Sequence, residues 1–144
     1  MPTAQLILDK KGSDVATIDR NATVVEAADM MNARKIGALV VSDGDKIVGI
    51  FTERDILTRV VATQKFPSEV RVGDVMTSPM ACCRRDTPLE ECRAVMSNMR
   101  IRHLPVVEDE HLYGIISSGD ILASEVANQQ STIEYLHEYL YGRT

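Results

Sequence analysis

Two short segments of the chain place a strand end, a hydroxyl and a carboxylate in the same order. Gly49–Asp55 has the sequence GIFTERD, and Gly114–Asp120 has the sequence GIISSGD. In each segment the hydroxyl residue precedes the Asp by three positions, where we expect a helix to begin. The simpler interpretation is a capping box, in which the two side chains accept hydrogen bonds from backbone N–H groups of the first turn and stabilise the helix by about 1 kcal/mol.

The same arrangement is also suited to a nucleotide. The first N–H groups of a helix have no partner within the helix and carry partial positive charge, which favours a phosphate. A hydroxyl at the cap, from Thr52 or Ser117, can donate to a phosphate oxygen. A carboxylate one turn further on, from Asp55 or Asp120, can accept two hydrogen bonds from a ribose diol. The two interpretations are compatible, since one Thr can cap the free helix and bind phosphate in the complex.

Both segments belong to an internal repeat. A shift of 65 positions aligns Thr17–Leu57 with Cys82–Leu122 without a gap. Such self-similarity over most of a supersecondary unit predicts two copies of one structural module. Identical pairs include Ile36/Ile101, Leu39/Leu104, Gly49/Gly114, Asp55/Asp120 and Leu57/Leu122.

Each copy predicts the element order β-α-β-β-α. Short apolar leads indicate a first strand at Val15–Ile18 and at Met80–Cys83. Alternating or continuous apolar runs then indicate a pair of strands in each copy. These predicted strands are Ile36–Val41, Ile47–Phe51, Leu104–Val107 and Leu112–Ile116.

The first helix of each copy has apolar residues at i, i+3, i+4 and i+7, which is typical of a helix packed on a core. Capping boxes are expected at its start, from Thr23 with Glu26 in copy one and from Thr87 with Glu90 in copy two. A second helix is expected to begin near Glu53 and near Ser118. The predicted fold class is therefore α/β of the α+β type, built from two tandem βαββα repeats.

The predicted boundaries are residues 8–63 for the first repeat, 64–79 for a linker and lead, and 80–127 for the second repeat. Residues 128–144 are predicted to form a C-terminal amphipathic helix, because Ile133, Leu136 and Leu140 lie at i, i+3 and i+7. Such a helix must dock on its own domain or on a second copy of the chain.

Composition limits the classes of function. The chain has 144 residues, of which 44% are hydrophobic and 26% charged, and its net charge of −5 argues against a nucleic-acid or acidic-membrane binder. No apolar run approaches the roughly 20 residues that span a bilayer. Three Cys and no His or Cys at zinc-ligand spacing give neither a disulfide framework nor a metal site. A cytoplasmic location is expected.

The two copies resemble cystathionine β-synthase (CBS) domains, and the pair resembles a Bateman module, over roughly residues 8–127. The resemblance rests on the tandem Gly-Ile-x-Thr/Ser-x-x-Asp segments, on Val72–Thr77 (VGDVMT) and on Ile101–Val107 (IRHLPVV). It is greatest to stand-alone bacterial CBS pairs. The resemblance implies two units related by pseudo-twofold symmetry, with two clefts between them that commonly bind adenine nucleotides.

The resemblance also implies roles for particular residues. Asp55 and Asp120 would bind the ribose hydroxyls, and Thr52 and Ser117 the first phosphate. Adenine contacts would come from the first-strand leads, near Thr17 and Cys82. The cations expected near phosphate are Arg54, Arg102 and His103 in the Asp55 cleft, and Lys35 alone in the Asp120 cleft.

The resemblance thus implies a regulatory module that binds AMP, ADP, ATP or NAD and changes conformation or assembly, without catalytic residues or a catalytic cofactor. A homodimer and an unidentified regulated protein are the expected partners, with neither nucleic acid nor membrane. Two alternatives remain open: a structural dimerisation module with vestigial clefts, and an enzyme that acts on the bound nucleotide.

Overall fold

The structure is a computed structural model that describes residues 1–127; the expected helix over 128–144 lies outside the described residues. Within the described part, the order β-α-β-β-α occurs in the first repeat and α-β-β-α in the second, and each repeat is preceded by a helix. The elements are α1 (Ala4–Lys11), β1 (Thr17–Asp19), α2 (Val24–Arg34), β2 (Ala38–Asp43), β3 (Lys46–Thr52), α3 (Glu53–Asp55) with a π-helical continuation (Ile56–Val61), α4 (Val72–Val75), α5 (Leu89–Met99), β4 (His103–Glu108), β5 (His111–Ser117) and α6 (residues 118–127).

The first repeat contains a three-stranded sheet in the order β1-β2-β3. Strand β1 pairs parallel to β2, with Thr17 opposite Val40, and β2 pairs antiparallel to β3. The first four residues of the central strand are buried, as expected for a strand covered on both faces. The predicted strands of this copy are confirmed to within a few residues at their ends.

The second repeat has a two-stranded sheet, β4 with β5, and the predicted strand at Met80–Cys83 is reduced to one bridge between Cys83 and Val106. That strand prediction is wrong, and the repeat itself shows why. In copy one the Val40 N–H donates to the Ala16 carbonyl at 3.1 Å. The aligned residue in copy two is Pro105, which has no N–H to donate, so this rung of the parallel ladder is missing.

Helices α2 and α5 begin at equivalent positions but are capped differently. The Thr23 hydroxyl oxygen accepts a hydrogen bond from the Glu26 N–H at 3.2 Å, which confirms half of the first predicted capping box; the Glu26 carboxylate accepts from the Thr23 hydroxyl at 3.3 Å and not from the Thr23 N–H. The second predicted capping box is wrong: α5 starts after Pro88 without a side-chain cap, and the Thr87 hydroxyl accepts from the Arg84 N–H instead. At the start of α5 the fixed φ of Pro88 orients the backbone for the helix, whereas at the start of α2 the Thr23 side chain stabilises the first turn.

Helices α1 and α4 dock crosswise. Helix α1 precedes the first repeat but packs on the core of the second, and α4 precedes the second repeat but packs on the core of the first. The sequence pattern did not predict α1. The first core contains Ile18, Val24, Ala27, Met31, Leu39, Val41, Phe51, Val60, Val72 and Val75, and the second contains Ala4, Ile7, Leu8, Cys83, Leu89, Cys92, Met96, Leu104, Val106, Ile116 and Ile121.

A glycine in the last strand of each repeat makes this docking possible. A Cβ at Gly49 would lie 2.6 Å from the Thr77 carbonyl oxygen, and a Cβ at Gly114 would lie 2.5 Å from Leu8 Cδ2. The identical glycines of the repeat therefore serve the close approach of the segment that covers each strand. Across residues 1–127, no helix is long and apolar enough to cross a membrane.

Candidate functional site

Both helix starts singled out in the sequence carry reciprocal caps. In the first repeat the Thr52 N–H donates to Asp55 Oδ2 at 3.0 Å, and the Asp55 N–H donates to the Thr52 hydroxyl at 3.3 Å. In the second repeat the corresponding bonds join Ser117 and Asp120, at 2.9 and 3.0 Å. The capping interpretation is therefore confirmed at both positions.

The Asp55 carboxylate has two further partners that the sequence did not identify. The Thr77 hydroxyl donates to Asp55 Oδ1 at 3.0 Å, and Arg59 Nε lies 3.7 Å from the same oxygen. Thr77 lies in the Val72–Thr77 segment that covers β3, while Arg59 is one turn beyond Asp55 in the π-helical continuation. With its side chain only 7% exposed, Asp55 is buried among donors.

The Asp120 carboxylate is held differently. Lys11 Nζ lies 2.8 Å from Asp120 Oδ2 and also donates to the Ile115 carbonyl at 3.0 Å. Burial opposes ionisation of Asp120, but the hydrogen bonds from Lys11 and Ser117 outweigh it and lower the pKa of this carboxyl. The expectation that Lys35 is the only cation near Asp120 is therefore wrong, because Lys11 at the end of α1 contacts it directly.

A cavity of about 440 Å³ lies between the repeats on the Asp55 side. The first repeat contributes Thr52, Arg54 and Asp55 to its wall. The second contributes the two basic residues Arg102 and His103. The apolar part of the wall consists of Ile50, Leu57, Pro79, Ala81, Met99 and Ile101. The structure thus brings the five polar residues expected for the Asp55 cleft to one cavity.

The basic side chains of this cavity differ in their hydrogen bonds and in their exposure to solvent. Arg54 Nη1 donates to the Arg100 carbonyl at 2.6 Å, so this guanidinium ties the start of α3 to the end of α5. Arg102 is exposed and His103 is half-buried. Burial lowers the pKa of His103, and the charge of Lys11 acts in the same direction, while Glu53 and Asp120 oppose the shift.

A more open depression of about 530 Å³ lies at the start of α6, on the other side of Arg102 and His103. Lys35, which ends α2, and Ser117 line it. Arg102 and His103 therefore border both spaces, although the sequence assigned them to the Asp55 cleft. Asp120 does not line this depression.

The two expected adenine contacts from the first-strand leads lie elsewhere. Thr17 and Cys82 are exposed, and neither lines the cavity or the depression formed by the described residues. In copy two the lining residues of the lead are Pro79 and Ala81, the latter one position before Cys82. Residues 1–127 contain no group of three His, Cys, Asp or Glu side chains that is arranged to hold a metal ion.

Comparison with known proteins matches both repeats to one family. The sequence profile of the CBS domain matches residues 11–62 and 72–126. The CBS domain-containing protein YhcV of Bacillus subtilis is 30% identical over 125 residues, which cover 87% of this chain and 89% of the relative.

Solved structures agree. A protein from Burkholderia ambifaria, described as a signal-transduction protein with CBS domains, is 38% identical with a TM-score of 0.86, over 89% of this chain and 96% of that one. A hexameric CBS-CP12 protein from bloom-forming cyanobacteria is 31% identical with a TM-score of 0.76, over 96% and 83% of the two chains. The internal repeat, the fold and these matches lead to one conclusion: the chain belongs to the CBS domain family and contains a tandem pair of its repeats.

Proposed function

We propose that the chain is a regulatory sensor that binds an adenine nucleotide, AMP, ADP, ATP or NAD, in the Asp55 cavity. CBS domain proteins are generally regulatory ligand-binding modules, and the proposal specifies the ligand and its position. The observation that carries it is a single cavity with Thr52 and Asp55 on one wall and Arg102 and His103 on the other. Such a cavity presents a diol acceptor and phosphate donors to the same molecule.

The dimensions and chemistry of the cavity support this assignment. Its volume of about 440 Å³ lies within the usual range for small-molecule sites, which is roughly 300–1,000 Å³. Asp55 can accept hydrogen bonds from the ribose hydroxyls, and Arg102 can form charge-assisted bonds to phosphate. The apolar wall around Ile50 and Ala81 provides a surface for the adenine ring.

A ribose hydroxyl at Asp55 Oδ1 would join or displace the Thr77 hydroxyl that already donates to this oxygen, since a carboxylate oxygen can accept two hydrogen bonds. Thr77 is joined to β3 by two backbone hydrogen bonds with Ile50, at 2.8 and 3.0 Å. Nucleotide binding is thereby linked to the segment between the repeats, which offers a route from occupancy to conformation.

The proposal is tested by calorimetric titration and thermal shift with AMP, ADP, ATP and NAD. A ligand that binds only the folded state adds about 2.7 kcal/mol at 100 times its dissociation constant. We expect at least one of the four to bind, and the Arg102→Ala, His103→Ala double variant to lose most of that affinity. A folded double variant that binds normally would assign the phosphates to other residues.

The enzyme alternative has a direct test. Proteins that consist of CBS domains are typically regulatory, and we expect the bound nucleotide to remain intact. Chromatography of each nucleotide after prolonged incubation with stoichiometric protein measures this. Conversion of any of the four would replace the sensor proposal with a catalytic one.

We further propose that the chain forms a homodimer through an apolar patch, defined here as Leu57, Val61, Leu122 and Val126. These exposed residues are equivalent in pairs: Leu57 and Leu122 are both 61% exposed, and Val61 aligns with Val126. A patch that repeats itself about a pseudo-twofold axis can face the same patch of a second copy. The structural alternative, a dimerisation module without ligand, would retain this contact and fail every nucleotide titration.

A further inference from the structure

The two repeats present different donors to their equivalent aspartates. Asp55 receives the neutral hydroxyl of Thr77 at 3.0 Å, whereas Asp120 receives the ammonium group of Lys11 at 2.8 Å. The shift that relates the repeats aligns Lys11 with Met76, the residue before Thr77. Both donors therefore come from the segment that docks on the last strand of the repeat, and only the second repeat has a charged one.

Lys11 is brought to Asp120 by a helix that is fixed along its length. The Ala4 and Gln5 N–H groups donate to the Thr87 and Arg85 carbonyls, both at 2.9 Å. Leu8 packs against Gly114 of β5, and Lys11 follows in the last turn of α1. The docking of α1 therefore determines where the Lys11 ammonium group lies.

We infer that Lys11, by binding the Asp120 carboxylate, withholds it from a ribose and limits the chain to one nucleotide. This inference rests on the proposed function of the Asp55 cavity. The ammonium group donates to Asp120 Oδ2, the oxygen that also accepts the Ser117 N–H, and it is held in addition by the Ile115 carbonyl. At Asp55 the donor from the docking segment is a neutral hydroxyl, with Arg59 Nε 3.7 Å from the same oxygen. A nucleotide at Asp120 must instead compete with an ammonium group that is 2.8 Å from the carboxylate and partly shielded from water.

The variant that tests this inference is Lys11→Met, which introduces the residue found at the aligned position 76. The matched control is Lys10→Met, which removes the same charge from the neighbouring exposed position of α1. Calorimetric titration with ADP should give one site per chain for the wild-type protein and the control. We expect Lys11→Met to gain a second site, with affinity raised at least about tenfold over the wild-type cleft, and Lys11→Met, Asp120→Asn to lose it again.

A titration of the Asp120 carboxyl by ¹³C NMR provides a second measurement that needs no nucleotide. The pKa of Asp120 should rise in Lys11→Met and stay unchanged in Lys10→Met, and circular dichroism checks that both variants are folded. One ADP per chain in both the wild type and Lys11→Met would overturn the inference and leave the proposed function standing. Two equal sites in the wild type, or loss of all binding in Lys11→Met, would overturn it as well. No binding of any nucleotide to any variant would refute the proposed function itself, and this inference with it.

Discussion

Asp55 and Asp120 occupy equivalent positions in the two repeats, yet their carboxylates bind different side chains. Both complete a reciprocal cap with the hydroxyl residue three positions earlier. Asp55 is then buried beside Thr77 and Arg59, whereas the Asp120 side chain is 26% exposed and paired with Lys11. The two carboxylates therefore cap their helices in the same way but differ in the side chains with which a ligand must compete.

This pairing makes Asp55→Ala and Asp120→Ala matched variants. Each loses the same cap, at a cost of about 1 kcal/mol of stability. We expect Asp55→Ala to weaken nucleotide binding at least tenfold, because a charge-assisted hydrogen bond contributes about 1.5–3 kcal/mol, while Asp120→Ala leaves the affinity unchanged. Calorimetry checks both, and equal effects of the two substitutions would contradict the assignment of ribose to Asp55.

The His103 side chain gives binding a dependence on pH. Its pKa is lowered from the ordinary value of 6.5, chiefly by burial, with Lys11 and Arg102 acting in the same sense and Glu53 and Asp120 opposing them. The imidazole of the free protein is therefore neutral above pH 6.5, and a phosphate bound to it favours the imidazolium form as the pH falls. We expect nucleotide affinity to strengthen as the solution becomes more acidic.

The control for this prediction is His103→Gln. The ligand's own phosphate titrates near pH 6, so the informative quantity is the difference in affinity between the wild type and His103→Gln at each pH. A difference that shrinks as the pH falls would contradict an imidazolium contact with the phosphate. A constant difference would mean that its charge does not reach the phosphate.

The contacts around the aspartates also show how far the sequence could be interpreted residue by residue. The pattern indicated where the caps lie because a cap depends on neighbours three positions apart. Lys11 and Asp120 are separated by 109 positions, and Thr77 and Asp55 by 22. Such contacts depend on how helices dock, which no local spacing encodes.

At the level of elements, the repeat predicted the order of helices and strands in both copies, and single residues account for the departures. Pro105 removes the hydrogen-bond donor that would have extended the first strand of copy two, and Pro88 replaces the cap expected from Thr87. Met99 fits the apolar stripe of α5 by spacing, yet it is 57% exposed at the rim of the cavity. An apolar stripe in the sequence does not distinguish residues of the core from residues that line a ligand cavity, because both kinds of site use apolar side chains.

The two docking glycines allow a matched test of how tightly the covering segments are held. In Gly49→Ala the new methyl group meets the Thr77 backbone carbonyl, which cannot move without breaking its bonds to Ile50; we expect a loss of about 1–3 kcal/mol of stability. In Gly114→Ala the obstacle is the end of the Leu8 side chain, which can rotate away, so the loss should be smaller. Urea denaturation measures both, and an equal or reversed order would show that Leu8 is as fixed as a backbone carbonyl.

For the molecule as a whole, the apolar patch of Leu57, Val61, Leu122 and Val126 predicts a homodimer. Light scattering at micromolar concentrations should give about twice the chain mass of 15.9 kDa. Leu57→Asp with Leu122→Asp should give the monomer mass, because each introduces a charge at the centre of the contact. Circular dichroism of the double variant checks that it is folded. A wild-type protein of about 16 kDa at all concentrations would exclude the dimer.

Because α1 packs on the second repeat and α4 on the first, the two repeats must complete their folding in a fixed order during translation. The first repeat has its full set of core residues once Val75 has emerged, so it can close while the rest of the chain is still being made. Helix α1 leaves the ribosome well before β5, on which it docks and which follows roughly a hundred residues later. At the elongation speed of about 5–20 residues per second, α1 therefore spends several seconds without its partner strand. Helix α1 is thus synthesised before the first repeat but docks only after the second, and its docking completes the core of the second repeat.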